Sequence, residues 1–458
     1  MSREKIKSTI WLMQRTLALD SIKNINKTVL LKGWVDSRRD HGKITFFNIR
    51  DRSGIIQAVT DKNIDIRKED AIEVVGKVAK RPEMMVNKNL ATGMVELRVE
   101  KIKVLAKAAE LPFDMGSPEL KVELPTLLDY RSLTLRHPKI QAIFKVQETI
   151  VQTFRQTMKD LDFVEFQAPT IVATATEGGA EIFPVKYYEH QAYLAQSPQF
   201  YKQIMASVFE RVFTVAHAYR AEPSVTTRHI SEYVGLDAEM AFIDSWQEII
   251  DTADHLLKEI FEAISLTNKS ELAMYNIKVP QTTAKTPQIK LKQAQEIIYK
   301  RTKRDIRKEP DLDPEGEKEI WRWSKEKHGS DLVFITHYPT KKRPMYTHPD
   351  FQDPEYTLSF DLIGCGQEWI TGSQRINDYD KLIANIKKWG CNPKNFEIPY
   401  LEAFKYGMPP EGGFCLGLER ITMNILNLKN IREATLFPRD MERVDIRLSG
   451  NKKGGKES

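Results

Sequence analysis

The chain has 458 residues, 69 Lys and Arg against 63 Asp and Glu, and a formal net charge of +6. Its 41% hydrophobic and 29% charged composition is that of a globular chain with room for two or three domains, and excludes collagen-like and disordered classes. No apolar run reaches membrane-spanning length, and Met1–Lys7 lacks the apolar core of a secretory signal. Cys365, Cys391 and Cys415 have neither disulfide nor zinc-ligand spacing, so free thiols in the cytoplasm are expected. The mild positive charge permits a nucleic-acid partner without requiring one.

Up to about residue 110 the pattern is one of short strands: Thr28–Val35, Ile44–Arg50, Gly54–Val59, Ile72–Val78 and Met94–Ile102. Five strands separated by turn signals, such as His41-Gly42, predict a small closed β-barrel; a sandwich usually needs about seven. Leu111–Pro118, rich in Pro and Gly, opens a hinge linker expected over 111–135. From Pro138 the period changes. Ile143, Val146, Ile150, Phe154 and Met158 recur every three or four residues and predict a long amphipathic helix with proline in its first turn. A strand at Phe163–Phe166 follows, and strands and helices alternate to about residue 265. Residues 266–330 are polar and lysine-rich and read as a small insertion. Strands resume at Leu332–Thr336 and Leu358–Ile363, and helices at Asp378–Trp389 and Leu418–Leu428. The domain closes near residue 445, and the polar tail, 446–458, is expected to be disordered.

The familiar phosphate loops, GxxxxGK[ST] and GxGxxG, are absent, as is HExxH. A nucleotide site would therefore be built from strands and side chains. Two segments stand out: Phe213–Glu222, containing Arg220-Ala-Glu222, and Gly412–Arg420, ending in Gly417-Leu-Glu419-Arg420. Arginine donates bidentately to phosphate and stays charged, so two such forks suggest a clamp on a polyphosphate.

With Thr176–Ala180 and Gln196-Ser197-Pro198-Gln199 between them, these segments resemble the ordered motifs of class II aminoacyl-tRNA synthetases, specifically the compact archaeal-type aspartyl branch. The helix and strand ending before Pro169 resemble the first, dimer-forming motif. The resemblance implies an α+β protein: an N-terminal OB-fold barrel (1–110) that binds the anticodon, then a class II catalytic domain with an antiparallel sheet (136–445). It implies ATP as a substrate, Mg²⁺, L-aspartate, tRNA-Asp as acceptor with tRNA-Asn open as a second, and a homodimer.

Residue by residue, the resemblance gives Arg220 the α-phosphate and Arg420 the γ-phosphate, as the catalytic cations. Glu222 lies near the adenine or the tRNA end, Tyr233 stacks on adenine, and Arg228 and His229 reach the outer phosphates. Glu368 and Gly417 complete the ATP site. Asp361 and Glu368 flank Gly364-Cys-Gly366 and supply hard oxygens to Mg²⁺. For aspartate, Lys202 and Arg375 are the cations, Glu177 and Asp237 face the ammonium, and Ser197, Gln199 and Thr371 complete the polar wall. In the barrel, Arg39, Phe46 and Gln57 meet the anticodon; Phe46 and Phe47 are consecutive, so one of them must face outward.

Three positions depart from the family pattern. Cys415 stands where glycine or alanine is usual, Glu411 where histidine commonly follows Pro409-Pro410, and Asp36 where some tRNA-discriminating relatives carry a bulky aromatic. An asparaginyl enzyme is the nearest alternative; it typically has an apolar residue at the position of Lys202, because a buried ammonium facing a neutral amide would be left unpaired. A tRNA-binding regulator with a decayed site is another, opposed by the retention of Arg220, Asp361, Glu368 and Arg420. An amidating enzyme on the same fold is a third, opposed by the barrel.

Overall fold

The computed structural model describes residues 13–174 and 182–448, and the chain divides into two compact units at Lys121/Val122. In the first unit β1 (Thr28–His41), β2 (Ile44–Asp51), β3 (Gly54–Thr60), β4 (Ala71–Lys80) and β5 (Val95–Ala106) close into a barrel in the order β1-β2-β3-β5-β4. Alternation within each strand decides the two faces. Phe47, Ile49, Ile56, Ala58, Val74 and Leu97 fill the interior, and their strand neighbours face out. Closure removes the unpaired edges that an open sheet of this size would expose.

In the second unit α1 (Pro138–Asp160) has Pro138 in its first turn, and its N-cap residue His137 accepts from the amide of Lys139. Its buried stripe of Ile143, Val146, Ile150, Phe154 and Met158 is the one the sequence predicts. Next come β6 (Val164–Glu165), a small sheet of β7 (Ile171–Val172), β8 (Pro184–Tyr187) and β9 (His190–Leu194), and α2 (Gln199–Phe209). β10 (Arg211–Tyr219) and β11 (Glu232–Ala241) precede α3 (Gln247–Thr267) and α4 (Lys269–Tyr275). The rest of the chain supplies β12 (Gln288–Lys290), α5 (Leu291–Thr302), α6 (Pro314–His328), β13 (Leu332–Thr336), β14 (Ser359–Gly364), β15 (Gln367–Gln374), α7 (Tyr379–Lys388), β16 (Glu411–Gly417) and α8 (Leu418–Ile425).

Among the described residues eight strands form one sheet, β12-β13-β14-β15-β16-β11-β10-β6. Its pairs are antiparallel except β10–β6 and β12–β13. One face carries Leu236, Ala238, Phe360, Leu362, Ile370, Phe414 and Leu416, which pack with α1, α3 and α8 into the main core.

Two boundaries sit differently from the sequence reading. Helices at Leu124–Asp129 and Arg131–Thr134 already belong to the second unit, where buried Arg131 donates to the carbonyls of Glu433, Thr435 and Leu436. Residues 266–330 hold α4, β12, α5 and α6, and β12 is the outermost strand of the main sheet. The buried positions of α5, Leu291, Ala294 and Ile298, do have helical spacing, but lysines and glutamines dilute the pattern.

Candidate active site

Register builds the site. Residues directly opposite one another in paired strands share a face. Thr214, Asp237, Cys415, Thr371 and Asp361 therefore form one row across β10, β11, β16, β15 and β14. Glu239, Gly413, Ser373 and Ser359 form the next row on the same face. The apolar residues between these rows face the helical core. A floor of polar groups is thus turned away from the core by strand alternation alone.

At one end of this floor a cleft is lined by every described residue expected to bind ATP: Arg220, Glu222, Arg228, His229, Tyr233, Glu368, Gly417 and Arg420. The Arg220 guanidinium carbon lies 5.5 Å from the centre of the Tyr233 ring. Arg420 Nη1 donates to the Glu368 carbonyl at 2.9 Å and is 3.3 Å from its carboxylate. Burial, then the negative charge of Asp361, raises Glu368 above the usual carboxylate range. Arg343 donates to Asp361 Oδ2 at 2.7 Å, while the buried Asp361 Oδ1 has no hydrogen-bond partner. Arg228 pairs with Glu317 of α6 at 3.1 Å, and Glu317 is pushed up to about 7 by burial and by Glu368. Burial lowers His229. Among the described residues no set of three or more His, Cys, Asp or Glu side chains converges as a ready-made metal cage.

At the other end lies a dense buried ion network. Lys202 Nζ, 2% exposed, is 2.9 Å from Asp237 Oδ1 and 3.2 Å from Glu239 Oε2. Burial opposes its charge, but the two carboxylates outweigh burial and raise its pKa. Arg375 Nε donates to Glu239 Oε1 at 2.7 Å, and its other nitrogens donate to Ser373 Oγ and the Gly413 carbonyl. Gln199 Nε2 is buried without a hydrogen-bond partner, a donor of the kind a polar ligand satisfies, while the Asp237 carboxylate takes only a weak thiol hydrogen bond from Cys415 besides its contact with Lys202. The Gln199 amide donates to Ser197 Oγ. Gly413 is required here: a Cβ would lie 2.2 Å from Glu239 Oε2 and 2.1 Å from the Ala238 carbonyl. Burial and the neighbouring Asp237 raise the Cys415 thiol well above its usual value, so it stays protonated. Thr371 accepts from Arg343 at 3.2 Å. Glu177 lies outside the described residues.

Sequence reasoning assigned no role to Glu239, Glu317, Arg343 or Gln203. Glu239 could have been found, since it stands two residues after Asp237 on the same strand face. Arg343 and Glu317 carry no local signal; loop and helix bring them in from a distance.

In the barrel, Phe47 is 1% exposed and Phe46 is half-buried on the outer face. Arg39 stands opposite Phe46, and Gln57 opposite Asn48, the next outward residue of β2. Arg39, Phe46 and Gln57 therefore share one surface. Asp36 holds Arg50 at 2.8 Å, and Arg50 also reaches Glu69.

Comparison with known proteins agrees with this division. The family described as class II tRNA synthetases (D, K and N) matches residues 123–441, and an OB-fold nucleic acid binding domain matches residues 29–105. The chain is 40% identical to an aspartate–tRNA(Asp/Asn) ligase of Deinococcus radiodurans over 94% of its own length and 99% of the relative. It is also 40% identical to an aspartate–tRNA(Asp) ligase of Pyrococcus horikoshii, over 91% and 96%. The crystal structure of asparaginyl-tRNA synthetase from Pyrococcus horikoshii complexed with asparaginyl-adenylate superposes with a TM-score of 0.85 at 31% identity, covering 94% of this chain and 100% of that one.

Proposed function

The chain belongs to the class II tRNA synthetases of the D, K and N group, and from that premise we propose that it is an aspartate–tRNA ligase, with tRNA-Asp as acceptor and tRNA-Asn open as a second. The observation that carries aspartate over asparagine is Lys202: a buried ammonium beside Arg375, in a pocket that also offers Asp237 Oδ2 as an acceptor. Two cations suit a side-chain carboxylate. Once the substrate ammonium draws on Asp237, a side-chain carboxylate restores the negative charge that Lys202 loses, which a neutral amide cannot do.

Aspartate lies with its side chain toward Lys202 and Arg375 and its ammonium toward Asp237 and Glu177; Ser197, Gln199 and Thr371 line the wall. Its α-carboxylate oxygen attacks the α-phosphorus of ATP; the new P–O bond forms as the bond to pyrophosphate breaks, and pyrophosphate leaves. Arg220 meets the charge that grows on the α-phosphate oxygens. Arg420, Arg228 and His229 hold the outer phosphates, and Tyr233 stacks on the adenine against which Glu222 and Gly417 lie. A ribose hydroxyl at the tRNA 3′ end then attacks the mixed anhydride, and AMP departs. No side-chain nucleophile takes part; positioning and fixed charge do the work.

Asp361 and Glu368 fit a magnesium ion. One buried Asp361 oxygen has no partner, Glu368 is raised beside it, and a cation relieves both; Mg²⁺ commonly takes one or two carboxylates and fills its shell with water and phosphate. When bound, the ion neutralises phosphate charge. Arg39, Phe46 and Gln57 read the anticodon by stacking and base-edge bonds. The protein acts as a homodimer in the cytoplasm; the free cysteines among the described residues suit a reducing compartment, and no described helix is long and apolar enough to cross a membrane.

The test is aminoacylation with aspartate and with asparagine on separate tRNA-Asp and tRNA-Asn transcripts. Charging of tRNA-Asp with aspartate is expected. Charging with asparagine alone would overturn the reading.

A further inference from the structure

Glu411 is fully buried at the start of β16 and lies behind the network that would receive the substrate side chain. Its Oε1 accepts from Gln203 Nε2 at 2.7 Å, and Gln203 in turn accepts from the Tyr400 hydroxyl at 3.0 Å. Its main-chain carbonyl accepts from the Arg375 amide at 2.9 Å. An ionised Glu411, able only to accept, leaves its Oε2 buried with no donor to meet it. Gly413 is the register partner of Glu239, and Glu411 stands two residues before it on the same face of β16, which brings the Glu411 and Glu239 carboxyl groups together. Two ionised carboxylates side by side in a buried site repel, whereas one proton between them turns the same contact into a hydrogen bond.

We propose that Glu411 is a positioning residue that serves as a neutral acid, donating from Oε2 to Glu239 and so fixing the carboxylate that holds Arg375 and Lys202 for the aspartate side chain. Charge counting supports it. Lys202 and Arg375 balance Asp237 and Glu239, so a neutral Glu411 leaves this buried ion network uncharged. An ionised Glu411 would add a net negative charge to that network before a dicarboxylic substrate arrived, penalising aspartate more than asparagine. The groups facing Glu411 from the packed elements are Glu239 on β11, Arg375 after β15, Gln203 on α2, and Tyr400. Burial, then Glu239, pushes Glu411 well above the usual carboxylate range, while Arg375 and Lys202 hold Glu239 below it against burial. The proton therefore resides on Glu411.

The inference rests on the assignment of Lys202 and Arg375 to aspartate, and it is tested with Glu411→Gln and Glu411→Ala in the full chain. Glutamine presents the same pattern, an amide donor toward Glu239 and a carbonyl toward Gln203. In aspartate-dependent pyrophosphate exchange, Glu411→Gln is expected to keep the KM for aspartate within about twofold of the parent, and Glu411→Ala to raise it about tenfold while the KM for ATP holds. A glutamine variant as impaired as alanine, a lower aspartate KM in the glutamine variant, or an unaffected alanine variant would overturn the proposal. Should the alanine variant not fold, infrared difference spectroscopy of parent minus Glu411→Gln decides. A protonated-carboxyl C=O band in the parent is expected, and its absence would sink the idea. A parent that supports no aspartate-dependent exchange would instead refute the ligase reading, while the infrared result would still report on the proton.

Discussion

Single side chains in this protein are governed by what burial does to charge. Arg220 sits at the end of β10, in a cleft shared with Arg228 and Arg420, where water is partly excluded and a fixed cation is worth more than in bulk solvent. Arg220→Ala should cut aspartate-dependent pyrophosphate exchange by roughly 10²–10³-fold, the usual cost of losing a preorganised transition-state donor; near-parental exchange would exclude it from the α-phosphate. Glu419 shows the opposite balance. Its carboxylate accepts from the Val234 amide, yet burial pushes it up to about 7 from the ordinary 4.5. The folded state thus keeps a proton that the unfolded chain loses between those pH values. Stability from this group is complete below 4.5 and disappears as pH rises through about 7. Glu419→Gln retains one acceptor and cannot ionise. Between roughly pH 5 and pH 8 the variant should lose about 3 kcal/mol less stability than the parent in urea titrations.

At the level of elements, strand alternation explains why the site could be anticipated in outline. Asp237, Cys415, Thr371 and Asp361 come from four strands, but antiparallel pairing sets them in one row and gives the alternate row to the core. The motif residues were legible because each lies at a strand end or helix start with a recognisable local pattern. Glu239 escaped notice because a single acid in an apolar strand has many uses, and only the approach of Arg375 and Gly413 shows which one applies. The same alternation in β2 turns Phe46 outward while Phe47 fills the barrel. Phe46→Ala should therefore leave pyrophosphate exchange within about twofold and raise the KM for tRNA about tenfold or more, the cost of one lost base stack. Equal damage to both activities would contradict the division of labour between barrel and catalytic sheet.

For the whole molecule, an exposed apolar region is the surface on which the proposed dimer can be tested. The edge strand β6 leaves Val164 41% exposed, and Val208, Phe209 and Phe242 are 59%, 47% and 66% exposed. The Ala241 amide donates to the Glu210 carbonyl, which ties the end of β11 to the end of α2, and Phe166, Val212 and Ala241 pack beneath. Apolar side chains gathered in this way mark an interaction surface. Phe242 has φ +56°, a conformation aspartate tolerates, so Phe242→Asp should place a charge on this apolar surface without straining the monomer. Sedimentation velocity is expected to show the parent at twice the chain mass and the variant at the chain mass. A monomeric parent would remove the dimer from the reading.

Local sequence by itself determined the strand and helix periods, the barrel, the long first helix and the arginine-bearing segments, because these are written in side-chain patterns only a few residues long. Tertiary structure alone decided that residues 266–330 contribute a strand to the main sheet and bring Glu317 to Arg228. It alone put Arg343 on Asp361 and set Glu411 against Glu239. The reason is physical. The state of a buried charge depends on which other charges surround it, and those partners come from segments far apart in the chain, joined only when the sheet closes over its core.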